Sequence, residues 1–343
     1  MADEERKKRP MVPLVVFMAR KAGFLLLTFF IFLIIIFFLP RLIPASPIVA
    51  TMSRMRNIDP ASLQRIEKFL IAQFGLDKPI QQQFVEFIFK TFSGDLGTSF
   101  YFLRPVAELI LTRIPYTLML LVPATIVSWI IGNLLGAIAA YKRGKATDNV
   151  LLTVFLFLSN TPYYWLAMIL LFFFAVRLDL FPTFGAYNPM LEPSFTPEFI
   201  IDYLRHYVLP FLSIVLSAMG GWAIGMRVMS IYELGSDYIN YSDSLGLKDS
   251  KLREYVFRNS ILPQVTGLAL NFGSILGGAV ITETVFNYRG TGELIILALT
   301  NMDYTLIQGT FVLLISTLLL ANLIIDFIYA YLDPRVKTGY VVE

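Results

Sequence analysis

Residues able to do covalent or metal chemistry are scarce in this sequence. Among 343 residues there is no cysteine and a single histidine, His206. That excludes disulfides, thiolate ligands and a cysteine nucleophile, and it leaves no histidine-built metal set. Neither an HExxH zinc motif nor a GxxxxGK[ST] phosphate loop occurs. The polar residues that recur are small. Ser213, Ser217, Gly221 and Gly225 fall at every fourth position, as do Ser128, Gly132 and Gly136, and Gly267, Asn271, Ser274 and Gly278 form a similar stripe. Positions four apart share a helix face. Small residues there let helices approach closely, or they line a weakly polar path between helices that rearrange. Asn160, Thr161, Ser217, Asn271 and Ser274 are the candidate path residues. Two of them belong to the step Ser159-Asn160-Thr161-Pro162, where the proline frees a backbone carbonyl and predicts a kink.

A second polar concentration is "YSDSLGLKDSKLREYVFRNSILPQ", Tyr241 to Gln264, set between two apolar runs. Gly246 would end a helix, and Asp249 or Ser250 could start another. In that second piece Leu252, Tyr255 and Val256 have amphipathic spacing, with Lys251, Arg253, Glu254 and Arg258 elsewhere around the turn. Pro263 suits the first turn of the span that follows. Such a segment either lies on lipid or grips a protein partner.

The elements that must hold these groups are membrane helices. Hydrophobic residues make up 56% of the chain and charged ones 15%, against roughly 25% charged in soluble domains; mean hydropathy is +0.66. The net charge of +3 points neither to nucleic acid nor to an acidic substrate. Six stretches match the roughly 20 apolar residues a span needs, near 22–40, 116–140, 150–176, 208–231, 264–285 and 307–331. The first is too long for a signal-peptide core and reads as a retained span. Short basic segments (the N-terminus; Lys142, Arg143 and Lys145; Arg227 through Arg258; Arg335 and Lys337) share one side if there are six spans, placing both termini in the cytoplasm.

The expected organisation is therefore an all-α integral membrane protein. It comprises a cytoplasmic N-terminus 1–21, a first transmembrane helix 22–44, an extracytoplasmic helical subdomain 45–115, a transmembrane domain 116–332 containing the loop 236–263, and a cytoplasmic tail 333–343. No charged residue occupies the centre of a span, which argues against proton coupling. Glu233, Glu283 and Asp326 sit near span ends, where interfacial solvation is the simplest reading.

Several stretches resemble a known family. Tyr241-Ser242-Asp243, Gly246 and Ile261-Leu262-Pro263 resemble the cytoplasmic EAA-loop signature of permease subunits in binding-protein-dependent ABC importers, although the Glu-Ala-Ala triplet itself is absent. "FGLDKPIQQQFVEFI", "GDLGTSF", "RPVAELILTRIPYTL", "NTPYYWLAMILL", "GSILGGAVITETVFNYRGTGEL", "MDYTLIQG" and "NLIIDFIYAYLDPRV" are similar to segments of its dipeptide/oligopeptide branch, together covering about 12–337. Glu283 matches the acid of that branch's "VF..PG.G" element, and Arg289 stands where the branch has proline.

The resemblance implies a permease with no catalytic site and no cofactor of its own, in a prokaryotic cell membrane. ATP and Mg would be bound by two separate ATPase subunits. A second permease subunit, a homologous relative, would complete the pathway, and an extracytoplasmic solute-binding protein would deliver peptides or another small solute such as oligosaccharides. Tyr241, Ser242, Asp243, Ser244, Leu245, Gly246, Leu247 and Lys248 would form the coupling helix that an ATPase grips, with Asp249–Pro263 carrying its movement inward. Glu283 and Arg289 would belong to an outer gate, Glu283 as a structural or gating acid and Arg289 as a loop or contact residue. The rival expectations are a stand-alone secondary transporter, which would show ion ligands and repeated halves, and a membrane scaffold.

Overall fold

The computed structural model describes residues 14–42, 64, 68, 71, 75, 77–274 and 280–332, with side chains omitted at 14–18, 272–274 and 324–332. Residues 1–13 of the expected N-terminal segment, the tail, Gly278 and the side chains of Ser274 and Asp326 lie outside the described residues, while 14–21 of that segment are helical and belong to the first helix. What is described is helical, with no strand among the described residues beyond an isolated bridge between Thr98 and Pro105. Four helices are long and apolar enough to cross a membrane, or five if one bent pair counts as a single span. The chain divides into two compact units, one of residues 1–109 and 298–343, the other of residues 110–297.

In the first unit, α1 (Leu14–Phe38, continued by a 3-10 turn Leu39–Leu42) runs beside α11 (Tyr304–Leu332). Leu33, Ile36 and Val312 are buried between them, and α2 (Ile80–Phe92) adds Phe87 and Ile88 to the same cluster. In lipid such apolar contact gains packing rather than hydrophobic driving force, so polar fastenings carry weight. The "GDLGTSF" stretch supplies one. Asp95 turns back to accept from the Gly97 amide at 2.9 Å, Gly97 takes φ +77°, and a Cβ there would lie 2.7 Å from Thr305. The stretch then meets fully buried Asp303, which accepts from the Ser99 hydroxyl and the Tyr101 amide. The other oxygen of Asp303 accepts from Leu306 N at 3.0 Å, capping α11 at its N-terminus.

In the second unit, α3 runs unbroken from Val106 (the first residues of the helix belonging to the first unit) to Tyr141, through Pro115 and Pro123. It starts well before the expected span at 116. The predicted kink near Pro162 is present and sharper than a kink: α4 (Ala146–Asn160) and α5 (Tyr163–Leu170, then a π turn Leu171–Arg177) are bent by 96°. Thr161 is extended (φ −85°, ψ 120°), the conformation that a following proline ring imposes. The fourth expected span lies within a longer helix, α6 (Pro197–Leu234), which opens with Pro197 in its first turn and the Thr196 hydroxyl accepting from Phe199 N.

The small-residue stripes act largely as helix contacts. A Cβ at Gly132 would lie 2.7 Å from Met219 O, one at Gly136 would strike the Ala223 backbone, and one at Gly225 would lie 3.0 Å from Gln264. Gly221 faces open space, and its neighbour Gly220 makes the close approach instead, 2.7 Å from Phe155 O. An ion pair missed in the sequence pins α4 to α6: Arg227 Nε and Nη2 meet the buried Asp148 carboxylate at 2.7 and 2.9 Å. The fifth expected span includes residues 275–279, which lie outside the described residues, between α8 (Asp249–Ser274) and α9 (Val280–Val285); α10 (Thr291–Thr300) follows.

Candidate functional site

The polar loop folds as a short helix, a left-handed glycine and a second helix. α7 (Asp237–Ser244) ends in a Schellman turn: Gly246 N donates to Asp243 O at 2.8 Å and Leu247 N to Ser242 O at 3.2 Å. Gly246 has φ +77°, a region that a Cβ makes costly. α8 then starts at Asp249, with Asp249 in its first turn, where negative charge suits the helix dipole. Contrary to expectation, Pro263 does not open a new helix. It lies inside α8, so the amphipathic piece and the start of the next span form one continuous rod. The proline removes one helix hydrogen bond, and the rod runs on past it, with the neighbouring Gln264 buried.

The loop is fastened on one side and open on the other. Ile239 is buried. Tyr238 donates to Glu233 at the end of α6 (2.6 Å) and accepts from Asn259 on α8 (2.7 Å), so one hydroxyl ties three helices. Burial first, and then the bond to Glu233, raise the Tyr238 hydroxyl above the ordinary phenol range. Glu233 is therefore partnered, where solvation alone was expected. On α8 the buried stripe is Leu252, Val256, Ser260 and Gln264, every fourth residue. Tyr255 was expected on this face but stands 39% exposed, because its position falls one residue off the four-residue register. That stripe meets α3 and α6. Trp129 Nε1 donates to Gln264 O at 3.0 Å, and Tyr141 donates to Arg253 O at 2.7 Å.

Away from these fastenings, Tyr241 and Leu245 are 67% and 63% exposed, four residues apart and so on one face of α7. Asp243, Ser244, Gly246 and Lys248 are exposed beside them, while Ser242 and Leu247 are half-buried. Ser244 spends its hydroxyl on Asn240 O.

The candidate path residues are only partly brought together. Ser217 on α6 donates to Thr161 O at 3.2 Å, the region where the helix ladder is interrupted by Pro162. Asn160 and Thr161 are largely committed to their own helix, donating to Leu156 O and Phe157 O at 2.7 Å each. Asn271 is exposed on α8.

Glu283 occupies a different kind of site. It is fully buried, not solvated at an interface. One carboxylate oxygen accepts from the Thr117 hydroxyl at 2.9 Å; the other accepts from Gly292 N at 2.7 Å and Glu293 N at 3.3 Å, the first amides of α10. A helix N-terminus presents such orphan donors and favours a negative charge. Thr117 also accepts from Thr291 N at 2.8 Å, and Arg113 pairs with Glu293 in the same cluster. Arg289 is exposed and donates to the Tyr187 hydroxyl at 2.7 Å, with its guanidinium over that ring. Thr117 and Arg113 were missed because they lie far from Glu283 in sequence. An aromatic ladder was also missed, although its spacing is visible: Phe199, Tyr203, Tyr207 and Phe211 stack in succession along α6.

Residues 132–338 match the family model described as binding-protein-dependent transport system inner membrane component, and residues 14–121 match the N-terminal model of the same system's membrane components. The di/tripeptide transport system permease protein of Pseudomonas aeruginosa (strain UCBPP-PA14) is 31% identical over 336 residues, covering 94% of this chain and 98% of that protein. The dipeptide transport system permease protein of Escherichia coli (strain K12) is 32% identical over 340 residues, covering 94% and 98%. The glutathione transport system permease protein of Escherichia coli O6:H1 is 31% identical over 311 residues, covering 90% and 95%. The chain belongs to the family of inner membrane components of binding-protein-dependent transport systems.

Proposed function

We propose that this chain is the permease subunit of an ATP-driven peptide importer and forms half of the translocation pathway. Six spans with cytoplasmic termini would put α7 on the cytoplasmic side, where a separate ATPase subunit would seat it. The relatives named for dipeptides, tripeptides and glutathione favour a short peptide as the solute over an oligosaccharide. A second permease subunit, two ATPase subunits holding ATP and Mg, and an extracytoplasmic binding protein complete the assembly in this reading.

One observation supports it above the others: α7 is tied to α6 and α8 through Tyr238 while Tyr241 and Leu245 stand open. A load applied to that open face would pass through the Schellman turn into α8, a rod with no break before Ser274. ATP-driven closure of two ATPases would draw two such loops together and tilt the rods. The Ser217–Thr161 contact, at the bend between α4 and α5, is where a helix rearrangement would cost least, since the broken ladder already lacks regular partners. Glu283 and Arg289 would set the outer loop that opens or closes the path.

The test is co-purification and coupled turnover. The chain is expressed with its neighbouring subunits, reconstituted in lipid, and assayed for ATP hydrolysis and peptide uptake with and without binding protein. Gly246→Pro forces φ near −65° where +77° is needed, so uptake should fall to background while ATP hydrolysis loses its response to binding protein. If no ATPase subunit co-purifies and Gly246→Pro transports normally, the importer reading is wrong.

A further inference from the structure

The first unit contains a cavity of about 280 Å³ that neither the coupling loop nor the Glu283 cluster uses. Its wall brings together Arg41, Lys78, Gln83, Glu86, Lys90 and Gln308. Asp95 completes the charged set, so three cations face two carboxylates. Both carboxylates are already engaged. Glu86 takes Lys78 on its two oxygens at 2.6 and 2.8 Å, and Asp95 accepts from Gly97 N. Among the described residues Arg41 spends one guanidinium nitrogen on Phe37 O and another on Gln83 Oε1, which leaves Nε and further N–H donors. Lys90 keeps its ammonium in the same wall, and the buried Gln308 Nε2 finds no acceptor among the described residues. Among the described residues the balance is an excess of donors and one surplus positive charge beside a space large enough for a small polar group.

Position narrows the ligand. Arg41 lies at the end of the apolar run Ala19–Leu42. At about 1.5 Å per residue a run of this length spans a hydrocarbon core of about 30 Å, whichever way the chain is oriented. Arg41 therefore sits at the level where lipid phosphates lie. A guanidinium is suited to bidentate phosphate contact, and an ammonium adds a point charge.

We infer that the cavity bordered by Arg41, Lys90 and Gln308 is a phosphate-group site, filled by the headgroup of an anionic membrane lipid. Arg41 takes two phosphate oxygens, Lys90 a third, and the Gln308 amide supplies a neutral donor from the floor. The inference rests on the placement of α1 in the membrane and not on which solute the assembly moves.

The test is the thermal unfolding midpoint of the purified full-length chain in detergent. It is measured with phosphatidylglycerol, with diacylglycerol of the same acyl chains, and with inorganic phosphate at matched ionic strength. Phosphatidylglycerol should raise the midpoint by about 3–6 °C more than diacylglycerol. Lys90→Gln, an exposed position, should leave the lipid-free midpoint unchanged and remove at least half of that difference; Arg41→Gln with Lys90→Gln should abolish it. An equal response to inorganic phosphate, lost in the same variants, would keep the phosphate site and assign it to the free anion. Equal shifts with phosphatidylglycerol and diacylglycerol and none with phosphate, or a phosphatidylglycerol shift that survives in the double variant, would overturn the proposal.

Discussion

The turn at Asp243–Lys248 and the turn at Glu283–Gly292 use the same materials, an acid, small polar residues and glycine, and use them in opposite ways. In the first, Gly246 is needed for its backbone angle: φ is +77° and an added Cβ would meet nothing within 4 Å. In the second, the glycines are needed for space. A Cβ at Gly290 would strike the Glu283 carboxylate, and one at Gly292 would lie 2.6 Å from Val280 Cα. Asp243 is exposed, whereas Glu283 has every accepting direction toward Thr117 and α10 filled from within the chain. A polar group satisfied internally is a fastening. A folded, capped element whose side chains remain open is held in shape without them.

That contrast makes an ordered set of predictions about stability. The largest effect belongs to Glu283→Ala. It takes the acceptor from the Gly292 and Glu293 amides, and one partner from the Thr117 hydroxyl, in a fully buried cluster, at about 1–3 kcal/mol for each buried group left unmade, so a total loss of about 3–5 kcal/mol is expected. Glu283→Gln, which keeps one accepting oxygen, should lose less. Chemical denaturation in detergent reads both, and a Glu283→Ala chain as stable as the parent would mean that this carboxylate is not the fastening described.

Next comes Gly290→Ala, where a methyl group has to displace the same carboxylate. Overpacking of this kind costs about 1–3 kcal/mol. Its counterpart Gly246→Ala meets no atom and pays only for the left-handed backbone, about 1–2 kcal/mol. The two alanines should separate by assay. Gly290→Ala should show the larger drop in unfolding midpoint, and Gly246→Ala the larger drop in uptake per ATP hydrolysed. Reversal of that order would show that the two turns do not divide the labour as described.

How much of this could be read beforehand follows from which interactions are local. The helix, glycine and helix of 237–274 were legible because a Schellman turn is written within six consecutive residues, and the break at Pro162 because proline acts on its immediate neighbour. The all-helical membrane character was legible from composition. Thr117 beneath Glu283, Asp148 beneath Arg227 and Ser99 beneath Asp303 were not, since each pair is joined across at least 79 residues and neither member is unusual alone. Pro263 was misplaced for a related reason. The rule that proline opens helices is local, whereas α8 runs on through Pro263 beside Trp129 and Gly225 of two other helices, both of which approach Gln264. The aromatic ladder on α6 was within reach, since four aromatic residues at four-residue spacing need no partner to be noticed.

The smallest stability effect is the most informative about function. Leu245 is 63% exposed and touches no polar fastening of the loop, so Leu245→Asp should change unfolding free energy by less than about 0.5 kcal/mol. If α7 is gripped through Tyr241 and Leu245, the same change places a charge in a contact that has to be desolvated, and ATPase subunits should be retained at least tenfold less on purification. Tyr241→Ala should act in the same direction more mildly, since it removes area without adding charge. A Leu245→Asp chain that keeps both its stability and its ATPase would show that the open face of α7 is merely solvated, and the comparison with the Glu283 cluster would then separate a fastening from an ordinary surface rather than from a lever.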